Sequence, residues 1–272
     1  MLLLRKIYPN GVPRKRHLFI EGVWVALFGT GFAWWLFPNE VSLISVFLAS
    51  IITTDSIERV LEWNRVAIFE RDEVPLDVNL TLANKLLMMF LGCVVGFSAL
   101  SLTLPLDTVE HLFSHQLLAS YGQTFPTMHF GSVDGVLLNN FYVMLFFFAI
   151  ALPFEKGGVM LAIAWNASVW GSTFSVLARR WSLDGGPGVY EAWARVMAAC
   201  TTHMALEAAA YVLAGLAGVF LSKAFHKHAI DSDPMVSILF SAATMLGLAL
   251  ALLVLGAFWE GHLATQLVVV LS

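Results

Sequence analysis

The stretch THMALEAAAYVLAGLAGVF, residues 202–220, sets a histidine and a glutamate four residues apart in a segment that is otherwise apolar. On a helix, His203 and Glu207 share one face with their Cβ atoms about 6 Å apart, so the two side chains can interact along it. Further on, AFWEGHLATQLVVV carries Glu260 and His262 near the end of another apolar run. Asn140, or its neighbour Asn139, in LLNNFYVML and Asn166 in AIAWNASVW add neutral hydrogen-bonding groups to two more runs. An imidazole and two carboxyls can serve three chemistries: interhelix hydrogen bonding, a proton or ion relay, or metal ligation. The spacing suits metal poorly, since a metalloprotease helix carries two histidines around its glutamate. The chain shows no nucleophile–base pair and no nucleotide motif, so enzymatic activity stays open, no catalytic residue is assigned and no cofactor is expected.

The medium that must hold these groups is a lipid bilayer. The 272 residues are 58% hydrophobic and 12% charged, with a mean hydropathy of +0.77, far from the mix of a soluble domain. A crossing helix needs about 20 mainly apolar residues. Candidates lie at 18–37, 41–54 (short), 86–104, 135–154, 157–178, 196–222 and 235–259. The expectation is an all-α, polytopic bundle forming one domain over residues 1–272. It has six or seven spans, depending on whether 157–178 crosses the membrane or re-enters. The first run is too long and aromatic for a cleaved presequence.

Between the spans, charges in DSIERVLEWNRVAIFERDEVPLDVN recur on a helical period with Ile57, Val60, Leu61, Val66 and Ile68 between them. This predicts an amphipathic cytoplasmic segment over 55–82. Segment 105–134 lacks Lys and Arg and holds Glu110, His111, His115 and His129, as expected of an external loop with a short surface helix. His111 and His115 share an i,i+4 spacing that could hold a metal at the surface, although a solvated face is the plainer reading; His226 and His228 read as solvated. RRWSLDGGPGVY is a turn. Gly92 with Gly96, and Gly215 with Gly218, read as close-approach positions between helices, and FAWWLFP as an interfacial belt. Cys93 and Cys200 sit in apolar runs as small hydrophobes.

Residues 1–17 carry Arg5, Lys6, Arg14, Lys15 and Arg16, a basic tail suited to the cytoplasmic lipid surface. Six or seven spans alike put most Lys and Arg on the amino-terminal side. A net charge of −4 with no long basic stretch gives no reason to expect nucleic acid as a partner. The short turn KAFHKHAIDSD makes the last two spans antiparallel, so His203 and Glu260 are expected at matching depth and paired.

In order, Asn140, Asn166, the His203–Glu207 element and Glu260 in LGAFWEGH resemble the pattern of the stage II sporulation protein M (SpoIIM-like) family of bacterial and archaeal membrane proteins. The resemblance covers about residues 85–265. It departs from the family's Pro-His-Gly-x-x-Glu element, with Thr202 in place of Pro and Met204 in place of Gly. The resemblance implies a subunit of a membrane complex in a bacterial or archaeal cytoplasmic membrane, working with protein partners or copies of itself. It assigns no role to the polar residues. The expected function is therefore a non-enzymatic inner-membrane scaffold or complex subunit. The alternatives are an ion- or proton-coupled transporter or channel using His203, Glu207 and Glu260, or a metal-dependent membrane enzyme.

The orientation is checked by labelling. With Cys93 and Cys200 replaced by Ala, a cysteine at Arg14 should react with a membrane-impermeant maleimide only after permeabilisation; reaction in intact cells would reverse the topology.

Overall fold

The computed structural model describes residues 12–71, 73–120 and 133–271, with 69, 75, 76, 120 and 261–271 as backbone alone. Arg5, Lys6, His129 and the side chain of His262 lie outside it. In the described residues the chain is all helix: α1 (Lys15–Leu36), α2 (Val41–Phe69), α3 (Pro75–Thr103), the short α4 (Leu106–Leu112) and α5 (Ser114–Ser120), α6 (Val133–Phe154), α7 (Lys156–Leu183), α8 (Val189–Lys227) and α9 (Asp233–Leu271). Lipid offers backbone amides no hydrogen-bond partner, which is why long apolar segments satisfy them internally as helices. Seven of these helices are long and apolar enough to cross a membrane, and the chain is an integral membrane protein of the all-α polytopic class.

Helix α7 is the hub. It packs on α2, α3, α5, α6 and α8, and 72% of its apolar window is buried, against 17% for α9 at the periphery. Its buried positions are mostly small: Gly158, Ala162, Ala164, Ala167, Ser168, Gly171, Ser172, Ser175 and Ala178. The serine hydroxyls donate to carbonyls three or four residues back, so they cost no unsatisfied group. At 28 residues α7 is about 42 Å long. Lys156 at its start pairs with Glu58 of α2 at 2.6 Å, and Arg179 near its end donates to the Ser101 and Leu104 carbonyls that finish α3. The helix therefore runs beside α2 and α3 over a length sufficient for a full span. A single residue, Glu155, joins α6 to α7 with φ at 45°, a left-handed conformation uncommon outside glycine.

Two sequence boundaries move. The short span 41–54 and the amphipathic segment 55–82 are not separate: α2 continues unbroken to Phe69, and α3 starts at Pro75. Ile57, Val60 and Leu61 keep the buried face of α2 going, while charged residues occupy the opposite side, so the helix outlasts its apolar composition. The described part of 105–134 is two helices bound to the bundle, with Val109, Leu112, Phe113 and Leu117 buried. His111 lies on α4 and His115 on α5, with a break at Phe113, so they do not share a helical face; the His111 ring instead meets the Pro38 carbonyl at 2.8 Å.

The glycine pairs mark helix crossings. A Cβ on Gly92 would collide with the Phe19 carbonyl oxygen of α1, and one on Gly96 would meet Val23 and Ala26. Gly218 meets Phe148 and Ala151 of α6, and Gly215 meets Val159 of α7. Gly92→Ala should therefore lower the thermal stability of the detergent-solubilised protein by about 1–3 kcal/mol through overpacking. Gly31→Ala, where nothing lies within 4 Å of the added methyl, should leave stability unchanged or raise it by up to about 1 kcal/mol. Equal melting temperatures for the two variants would remove the crossing from the account.

Candidate functional site

The polar residues of the spans converge. Asn140 of α6, Asn166 of α7, His203 and Glu207 of α8 and Glu260 of α9 all line one partly open cavity of about 330 Å³. Four antiparallel helices, joined by the Glu155 turn, the Asp184–Gly188 turn and the 228–232 turn, bring them to one level. The last hairpin sets the depth. Gly256 of α9 sits against Glu207 and Leu206 of α8, so Glu260, one turn further, faces the turn that holds His203. Trp165, Trp170 and Tyr211 contribute aromatic wall, and Ala119 brings in α5.

Within this cavity the hydrogen bonding differs from the expected pairing. Glu207, 5% exposed, accepts from the Asn140 side-chain amide at 2.5 Å. Asn140 in turn accepts from Asn139 at 3.1 Å, so both asparagines of the LLNNFYVML element take part. Asn166 donates to the Ala162 carbonyl of its own helix at 2.9 Å. His203 bonds neither Glu207 nor Glu260 among the described residues, and its Nδ1 is buried without a partner. The expected His203–Glu260 pair is thus matched in depth but not joined. Glu207 takes its hydrogen bond from α6, where the Asn140 amide is a donor, and the imidazole Nδ1 is left without a partner among the described residues. The field of Glu260 still reaches Glu207, so two carboxyls share the cavity.

Among the described residues no group of three or more His, Cys, Asp or Glu side chains is close enough to hold a metal ion. The arrangement offers instead hydrogen-bond acceptors, two carboxyls, an unsatisfied imidazole and aromatic faces. A volume of this size accommodates on the order of ten waters, and it falls at the small end of ligand pockets.

Sequence reasoning missed one further buried polar node. Gln116 of α5, fully buried, donates to the Ser42 carbonyl at 2.9 Å and the Ser168 hydroxyl at 3.2 Å, and accepts from the Ser42 hydroxyl. It ties α5 to α2 and α7 beside the cavity wall. The signal was present in the spacing of Leu112, Phe113 and Leu117 around it, an apolar face inside a segment read as a loop.

Fold and site together define a polytopic α-helical membrane protein with a polar cavity enclosed by its carboxy-terminal helices. Compared with family models, curated proteins and solved structures, the chain matches none.

The pairing is checked by two double-mutant cycles scored by melting in detergent. Asn140→Ala with Glu207→Gln should show a coupling of about 1–2 kcal/mol, as expected for contacting polar partners. His203→Asn with Glu260→Gln should add within about 0.5 kcal/mol. Coupling in the second cycle and additivity in the first would invert the assignment.

Proposed function

We propose that the protein is an ion- or proton-coupled membrane transporter or channel whose cavity takes a small cationic or hydrogen-bond-donating solute. The observation that carries this reading is the convergence of Glu207 and Glu260 on a cavity within the spanning layer, beside an imidazole nitrogen that has no partner among the described residues. Acids in such a layer are expensive and normally face a pathway or a partner. Among the described residues Glu207 has one neutral donor, the Asn140 amide, and Glu260 makes no hydrogen bond or ion pair. Two carboxyls around a volume that holds water favour a positive or donating guest over an anionic one. His203 supplies a group that can accept a proton through Nδ1 when such a guest arrives or leaves.

A second reading, a non-enzymatic subunit or scaffold of a membrane complex, is favoured by the Asn140–Glu207 bond. This bond locks α6 to α8, as an interhelix polar link would in a purely structural bundle. The resemblance to SpoIIM-like proteins points the same way, and this reading carries with it a bacterial or archaeal cytoplasmic membrane with the amino terminus inside. On this reading the partners are other membrane proteins or further copies of the chain.

Flux separates the two. The purified protein in proteoliposomes loaded with a pH-sensitive dye should dissipate an imposed proton gradient when potassium or sodium is supplied on the opposite side. Glu207→Gln should slow this by about tenfold or more, equivalent to a barrier increase of about 1.4 kcal/mol. Wild-type vesicles no leakier than empty ones, under both cations, would sink the transport reading and leave the scaffold.

A further inference from the structure

The helices that contribute nothing to the cavity, α1 to α3, hold a different polar site at the end of the bundle where α1 and α3 begin. Lys85 of α3 is only 8% exposed, yet it makes no hydrogen bond or ion pair with any described residue; its amino group lies 4.2 Å from the centre of the Trp63 ring on α2. Buried lysines are normally paired with an acid. The neighbouring polar groups are engaged elsewhere: the Ser56 hydroxyl donates to the two Glu21 carboxylate oxygens at 2.7 and 2.8 Å, and Asn64 donates to Asn79 at 2.9 Å. The charge whose field reaches Lys85 is Lys15, another cation.

The glycine crossing explains why two cations meet there. Gly22 of α1 and Gly92 of α3 touch backbone to backbone, a Cβ on Gly22 falling 3.1 Å from the Gly92 carbonyl carbon. Phe19 meets Gly92 while Val23 and Ala26 meet Gly96, so the two helices run parallel. Lys15 lies seven residues before Gly22, and Lys85 seven before Gly92. Seven residues are about two helical turns, which returns each side chain to the same face. Both lysines therefore leave the α1–α3 seam at the same level, with an aromatic face beneath Lys85. Arg14 and Arg16 stand exposed beside them.

We propose that Lys15 and Lys85 seat the phosphate of an anionic membrane lipid. Compact ammonium groups bind phosphate as point charges, and a basic cluster at the rim of a bilayer meets anionic headgroups. The lipid source is favoured over free phosphate by what continues along α1. Ile20, Trp24, Phe28 and Phe32, on the side of α1 turned away from the seam, are all about half exposed, an apolar outer face that meets lipid and places the lysine pair in the headgroup layer at its end.

The test uses the full-length protein in dodecyl maltoside, with added phosphatidylglycerol, phosphatidylcholine or sodium phosphate, read by melting temperature and by lipid retained in native mass spectrometry. Phosphatidylglycerol should stabilise the protein and be retained in preference to phosphatidylcholine, while millimolar phosphate should do neither. Lys85→Gln should weaken phosphatidylglycerol retention about fivefold, the loss of one basic contact at a lipid surface. Lys15→Gln, at an exposed position that does not endanger folding, should act in the same direction. Lys223→Gln with Lys227→Gln, removing two exposed cations elsewhere, should leave the preference intact. Full retention in both Lys15 and Lys85 variants, an equal loss in the Lys223/Lys227 control, or stabilisation by phosphate alone to the same extent would each overturn the lipid seat.

Discussion

In a bilayer, helices gain nothing hydrophobic by leaving lipid for one another, so they associate only where their surfaces can come close enough for dense van der Waals contact. The rest of this structure depends on that constraint being met by α7. Its alanines, serines and glycines let four spans and one short helix approach it at once. Gly158 lies against Ala151 of α6, and Gly171 lies against Val94, Phe97 and Ser98 of α3. Where the chain instead presents large residues, on the outer faces of α1 and α9, it presents them to lipid.

The cavity follows from the same arrangement. Helices α6 and α8 are drawn together at Gly218 and again by the Asn140–Glu207 bond, while α9 reaches α8 at Gly256. Between these contacts the aromatic residues of α7, Trp165 and Trp170, are too bulky and too rigid to fill the space to the density of an alanine seam. A gap lined with polar groups is left, and one of those groups, His203 Nδ1, has no partner among the described residues. The amino-terminal helices solve the problem differently, with glycine crossings below and a pair of lysines at the end of the seam.

Much of this was legible in the sequence, because composition and periodicity report directly on burial in lipid. The apolar runs located the spans, the short final turn fixed His203 and Glu260 at one depth, and glycine pairs three or four residues apart marked true crossings. Three things were not legible. Charged residues ended the apolar run at 54 while the buried Ile57–Val60–Leu61 face carried α2 to Phe69, so polarity and helix end were different events. Gln116 looked like a loop residue because its partners, Ser42 and Ser168, come from distant helices. The choice of Glu207 for Asn140 over His203 depends on the rotation of α6 about its axis, which no spacing within α8 encodes.

The contrast between α7 and α9 bears on how the protein enters its membrane. The best packed helix is the least apolar of the seven spans, and the most peripheral is the most apolar. A segment rich in serine and glycine is a poor passenger when a translocation channel offers it to lipid alone, whereas α9 needs no help. The one-residue turn at Glu155 eases the difficulty, since it holds α7 in a tight hairpin with the strongly apolar α6. The linker is too short to let α6 and α7 part, so the least apolar span is tethered at one end to a strongly apolar neighbour.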